Sequence, residues 1–438
     1  MTRRQAESSR AILLALLLAV VTAHAGDWPQ FRGPTRDGHS PETGLLRTWP
    51  EGGPPQRWRS IPIGTGYSSP VVVGKHVLIT GDRDGKLVIT CLDKETGKFV
   101  WQSTNGRAWA NPYPGARSSV TVVGKHAYHL NAHGRLLCLE TTSGAEIWSM
   151  DVLARFGGAN IRWGLSECLL VDGDRLIVTV GGSKAFLVAL NRHDGKTVWA
   201  SPPLKFMRTV AFGGRKVDPA QSDFDKPGYA SPILLEVNGK RLVAATGSRH
   251  FVIADAETGV LLWTKEVPVR YEVIGTMPVW SGEGVLFCAP DMGATLYQIA
   301  LSKDGAVTVT ERWKHDLDNC HGGMIYADGC FLGSGYRKFK KWCRIDAESG
   351  ETQYVLPGKF TKGSTLFAEG MMYALSEKGR MTLLEPLADG FRDAGSFALD
   401  AKPGNKVWAH PAIADGHLFL RLREHVTCHD IRREPQTK

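Results

Sequence analysis

Three side chains carry groups suited to moving protons at neutral pH: His321, His410 and Glu167. An imidazole with an ordinary pKa of about 6.5 suits general-base work, so His321 and His410 are the candidate catalytic bases. Glu167 is the candidate carboxylate, able to take a proton from an alcohol or to contribute to a calcium site. Calcium wants about six to eight oxygens, and one carboxylate falls far short. Asp291 and Asp316 are possible additions, but their spacing is that of solvated loop residues. The competing reading is structural: His321 precedes Gly322 and His410 precedes Pro411, settings in which histidines commonly serve as hydrogen-bonded framework. Other chemistries lack their signatures. There is no Gly-x-Ser-x-Gly elbow, and Gly181-Gly182-Ser183-Lys184 reads as a hairpin tip rather than a phosphate loop. Neither a CxxC pair nor zinc-spaced histidines support a metal site.

The elements that hold these residues are strands. Apolar alternation broken every few residues by Gly, Asp or Asn runs along the chain, and no long amphipathic helix follows the N-terminal segment. A unit recurs: Cys91 to Trp101, with an Asp93-Lys94-Glu95-Thr96-Gly97 turn, returns at Cys138 to Trp148, Ala189 to Trp199 and Ile253 to Trp263. Arg344 to Tyr354 is a fifth copy, and degenerate copies end at Trp313 and Phe397. In each clear copy a Gly stands four residues before the aromatic, where a tight turn needs positive φ. With Trp58 upstream, the aromatics at 58, 101, 148, 199, 263, 313, 354 and 397 make eight, separated by lengths that each suit one four-stranded blade.

The sequence therefore predicts an all-β fold, an eight-bladed β-propeller of four-stranded antiparallel blades. The last segment, Val407 to Ile431, lacks a terminal aromatic, and the orphan strand around Trp58 is expected to complete that blade and close the ring. Residues 26–60 form an N-terminal extension carrying the closing strand. Residues 61–438 form the propeller, with a long surface excursion at 201–228 between the third and fourth blades.

In such a ring, the residues leading into the innermost strands surround the mouth of the channel, the usual place for a ligand. That mouth is expected to hold Tyr67, Arg117, Trp163, Glu167, Tyr229, His321, Lys362 and Trp408, with His410 one step inside. Cations beside aromatics suit a flat anionic ligand, stacked on Trp163 or Trp408 and paired with Arg117 or Lys362. The structural alternative is a channel filled by hydrogen-bonded side chains and water.

Composition fits one large globular body: 438 residues, 42% hydrophobic and 22% charged. The net charge of +9 is scattered, and its densest cluster, Arg337-Lys338-Phe339-Lys340-Lys341, reads as a hairpin tip, so no nucleic-acid partner is expected. Residues 1–25 read as a cleavable export signal, with Arg3, Arg4 and Arg10 before an apolar run from Ala11 to Val21 and a small-x-small site at Ala23-His24-Ala25. That run is too short to span a bilayer. No Cys is placed to accept lipid, so the expectation is a monomeric periplasmic or secreted protein without a retained anchor. Of the eight cysteines, Cys91, Cys138 and Cys428 hold equivalent core positions, while Cys330 and Cys343 would face each other across a turn centred near Tyr336 and Arg337, where a disulfide is a possibility.

The Asp-x-x-Thr-Gly-x-x-x-Trp turns at Asp93 and Asp255 resemble the tryptophan-docking repeats of the pyrroloquinoline quinone (PQQ) propeller family, which includes quinoprotein alcohol dehydrogenases and the outer-membrane assembly factor BamB. The segments Asp27 to Pro34, Trp163 to Glu167, His321-Gly322-Gly323 and Trp408 to Pro411 are similar to exported PQQ-like propellers of planctomycete-type bacteria. The resemblance implies either an enzyme or a scaffold. The dehydrogenases carry adjacent cysteines at the quinone, and this chain has no Cys-Cys pair. Their calcium ligands and catalytic Asp match no motif here. BamB is a lipoprotein, and the lipid-bearing Cys is missing. The reading is a noncatalytic scaffold, without a cofactor, whose open face meets a protein or small-molecule ligand. One alternative is a dehydrogenase oxidising an alcohol or sugar with PQQ and calcium, and a second is a propeller that binds carbohydrate or a cell surface.

Overall fold

A computed structural model describes residues 26–207, 222–356, 362–401 and 406–434. The expected export signal, residues 1–25, lies outside them. No helix among the described residues is long and apolar enough to cross a membrane.

Eight four-stranded antiparallel sheets follow one another along the chain as the blades of a propeller. The first blade comprises Val71–Val73, His76–Arg83, Lys86–Asp93 and Phe99–Arg107, running from the channel outwards. The eighth takes Ala412–Ala414, His417–Leu422 and His425–Asp430 from the C-terminus and its outermost strand, Gln56–Arg59, from the N-terminus. The expected closure is therefore present. Arg421 seals the seam: fully buried, it donates to the carbonyls of Ser68, Thr80 and Gly64 in and before the first blade.

Each of the eight repeated aromatics lies on an outermost strand, one per blade. The repeat works because the aromatic of one blade docks on the turn of the next. Trp58 Nε1 donates to Lys94 O at 2.8 Å, Trp101 to Thr141 O at 3.1 Å, Trp148 to Arg192 O at 3.1 Å and Trp199 to Ala256 O at 3.1 Å. The turn glycine is needed twice over. Gly144 has φ +71°, and a Cβ there would stand 2.4 Å from the Trp101 ring. The apolar cores accordingly lie between sheets; one joins Val71, Ile89, Cys91 and Trp101 of the first blade to Val122, Ala127 and Leu137 of the second.

The cysteines are unpaired. Cys91, Cys138 and Cys428 sit in the core, opposite Trp101, Trp148 and Trp58. The pairing of Cys330 with Cys343 does not occur. The hairpin register sets Cys330 against Asp346 and Cys343 against Gly333, because the turn is centred further along the chain than the basic cluster suggests. The excursion after the third blade begins and ends as a two-stranded hairpin, Lys205–Met207 with Ser222–Phe224.

The N-terminal extension has a second role that the repeat pattern did not show. Residues 27–46 thread the channel and pair with the exposed inner edges of the blades. Trp28 and Val72 exchange backbone bonds of 2.7 and 2.9 Å, Val122 N donates to Pro29 O at 2.9 Å, and Phe367 N donates to Gly38 O at 2.8 Å. His39–Ser40 adds a parallel strand inside the seventh blade. Two buried guanidiniums act as spokes. Arg36 donates to the carbonyls of Leu169, Cys168 and Pro232 at 2.9, 2.9 and 3.0 Å, and Arg32 reaches Met324 O. A propeller's innermost strands otherwise leave backbone groups unpaired at the axis, so this segment satisfies them while filling the channel.

Candidate functional site

At the face where the innermost strands begin, the filled channel leaves a cavity of about 340 Å³. Its lining includes Tyr67, Arg117, Trp163, Tyr229, His321, Lys362, Trp408 and His410, all expected from the sequence. Phe31, from the plugging segment, closes the floor and meets His410 edge-on with ring centroids 4.7 Å apart.

Strand alternation explains this convergence. Residues Tyr67, Arg117, Tyr229, His321, Lys362 and Trp408 hold one register position, and the residue two further on faces the channel again. That second position forms a belt. His410 N donates to Ser69 Oγ, Ser69 N to Ser119 Oγ, Ser119 N to Cys168 Sγ and Cys168 N to Ser231 Oγ, at 2.8, 2.8, 3.2 and 2.8 Å. The intervening residue points into its own blade.

Glu167 occupies that intervening position, so the expectation that it lines the mouth is corrected. Ser166 holds the place equivalent to Tyr67 and lines the cavity. Glu167 is 1% exposed and accepts from Thr179 N at 3.1 and 3.2 Å; burial pushes its pKa up to about 8. It is a framework group, as are Asp291, which pairs with Arg337, and Asp316, which pairs with Lys338.

Carboxylates do shape the rim from behind. Asp318 accepts the backbone N–H groups of Tyr336, Arg337, Lys338 and Phe339 at 2.9, 2.9, 2.9 and 3.1 Å, which fixes the basic hairpin and turns Tyr336 and Arg337 to the cavity. Asp82 accepts from Trp109 N at 2.8 Å, and Trp109 in turn lies 5.2 Å below the Arg117 guanidinium. Tyr113 and Tyr271 join the rim with φ of 62° and 68°, unfavourable for side chains of this size. Neither tyrosine, nor Phe31 or the serine belt, stood out in sequence. The positive φ values have no sequence signal, and the serines are visible only once the register is known.

The electrostatics are one-sided. Arg117, Arg337 and Lys362 line the cavity and no Asp or Glu does. Lys362 Nζ lies 3.7 Å from the Tyr336 ring centroid and 3.5 Å from Glu377, which stands behind the wall. Burial pulls Arg117 down to about 10, still fully charged at neutral pH; Asp82 acts on it from behind the wall, and it donates to Gly115 O and Tyr113 O. Both histidines are neutral. Burial, reinforced by the ammonium groups of Lys362 and Lys406, drops His321 to about 3. Burial, with Arg32 adding to it, does the same to His410. Cys320 also lines the cavity, and burial lifts its thiol to about 11.

The blades and their docked tryptophans define an eight-bladed β-propeller. Residues 84–212 match the family described as outer membrane protein assembly factor BamB. Over 157 residues the chain is 31% identical to outer membrane protein assembly factor BamB of Alkalilimnicola ehrlichii, a match covering 34% of this chain and 37% of that one. It thus spans little more than a third of that relative's length. Among solved structures, BamB from Moraxella catarrhalis superimposes with a TM-score of 0.58 at 14% identity, over 86% of this chain and 99% of that one. Quinohemoprotein alcohol dehydrogenase from Comamonas testosteroni gives 0.62 at 11% identity, over 95% and 82%. At such identities the structures share the fold. The resemblance to PQQ-type propellers holds.

Proposed function

We propose that this protein is a noncatalytic binding propeller of the cell envelope, which captures a ligand or a projecting group of a partner in the cavity at its open face. The observation that carries the reading is the make-up of that cavity. Its walls are aromatic, its charges are all positive, its floor is closed by the chain's own N-terminal segment, and its two histidines are poor bases. A base with a conjugate-acid pKa of about 3 has little power to draw a proton from an alcohol. The export signal read from the sequence, and the outer-membrane assembly role in the name of the BamB relative, support an envelope setting.

PQQ with calcium, the group that the dehydrogenase likeness implies, fits only in part. The tricarboxylate would suit the cations and aromatic faces. The lining offers calcium no carboxylate, and Glu377 and Asp291 are engaged with Lys362 and Arg337. The test is dye-linked oxidation of primary alcohols and aldose sugars by purified protein supplied with PQQ and calcium. The reading predicts no turnover above the protein-free control. Turnover that Arg117→Gln abolishes would make the protein an enzyme.

A further inference from the structure

The cavity floor differs from its walls. His410, 4% exposed, holds its Nε2 2.9 Å from the carbonyl oxygen of His321. That bond requires the proton on Nε2, so Nδ1 carries the lone pair, and this buried acceptor has no partner. Next to it the Ser69 hydroxyl accepts the His410 N–H at 2.8 Å, and further round the belt the Ser119 and Ser231 hydroxyls each accept a backbone N–H at 2.8 Å and also bond the Cys168 thiol. The floor thus holds an unused acceptor, His410 Nδ1, next to the Ser69 hydroxyl on a polar belt. A buried polar group left unpaired is costly, which marks the place as built for a polar occupant.

A group rich in hydroxyls meets such a floor, because each hydroxyl both donates and accepts. The walls add Tyr67, Trp163 and Trp408, whose faces suit the C–H face of a sugar ring. Arg117 adds a positive charge on the lining, suited to a carboxylate. The carboxylates of a flat aromatic polyacid would use the cation and the serine hydroxyls but, being acceptors only, would leave His410 Nδ1 unmet. We infer that the cavity binds an acidic sugar, a uronic-acid residue with its hydroxyls on the Ser69–Ser119–Ser231–His410 floor, a ring face on the aromatic wall and its carboxylate at Arg117. Because Phe31 closes the floor, a glycan can present only its end.

This inference rests on the binding reading above and deepens it, so the two are tested apart. Calorimetric titration of the full-length exported protein with glucuronic, galacturonic and mannuronic acids is compared with glucose, galactose and mannose. At least one uronic acid is expected to bind one-to-one, at least tenfold more tightly than its uncharged parent. Arg117→Gln should weaken it at least tenfold and Arg117→Lys should restore part of the loss, with unchanged near-ultraviolet circular dichroism certifying the fold. If no uronic acid outbinds its parent sugar, or Arg117→Gln leaves the affinity intact, the inference fails. The noncatalytic reading would still stand, since it falls only to quinone-dependent turnover.

Discussion

His129 and His410 are sealed in as neutral rings. His129, fully buried, bridges Asn105 and Ser118 at 2.8 and 2.9 Å, and burial drops both imidazoles to about 3. In the unfolded chain each returns to about 6.5. Between these values the unfolded state holds more protons, so stability falls as pH drops from about 6.5 towards 3, by up to about 1.4 kcal/mol per pH unit for each ring. Glu167 acts in the opposite sense. Its folded pKa of about 8 exceeds the unfolded value, so the folded state gains stability as pH falls from about 8 to 4.5. With His321 also lowered to about 3, three imidazoles outweigh one carboxyl. Urea midpoints should therefore fall as pH drops from about 6.5 to 4.5 and fall more steeply below about 4.5, where Glu167 no longer offsets them. A midpoint flat from pH 4.5 to 3 would contradict the buried neutral histidines. At this scale the sequence was legible wherever one register position repeats, as at Tyr67, Arg117, Tyr229 and Trp408. It misplaced Glu167 because a single-residue change of phase sends a side chain from the channel into the blade, and the third repeat lacks the Ser-Pro or Ser-Val that marks the phase elsewhere.

A blade is held to its neighbour by one aromatic and one turn, and the two are coupled. Gly144→Ala would bring a Cβ within 2.4 Å of the Trp101 ring at φ +71°, and Trp101→Ala would remove that ring together with its bond to Thr141 O. Each single change should destabilise, Trp101→Ala by about 3 to 5 kcal/mol and Gly144→Ala by more than about 1 kcal/mol. In the double variant the steric part of the glycine effect disappears, so the losses should be less than additive, as a denaturation cycle would record. Strict additivity would deny the docking. This coupling is why the fold was readable. The turn and the aromatic recur together, whereas a hairpin register such as that of Cys330 and Cys343 depends on turn length and on the Asp318 anchor, neither of which recurs.

For the molecule as a whole, the decisive element is the one without a repeat. Residues 27–46 carry no alternation and match no blade, so nothing in the sequence set them inside the channel, although Trp28, Phe31, Arg32 and Arg36 crowd an otherwise unassigned segment. Their insertion fills the channel beneath the cavity and supplies Phe31 to its floor. The closing strand at Gln56–Arg59 follows directly, so one N-terminal extension both closes the ring and fills its centre. Hydrogen exchange over residues 26–46, followed by mass spectrometry, tests this arrangement most directly. Amides bonded to the blades, those of Trp28 to Val72 O and Leu46 to Ile431 O among them, should exchange as slowly as the blade strands. Exchange within seconds across the segment would mean that the channel stands open and that the cavity lacks the floor on which its proposed function depends.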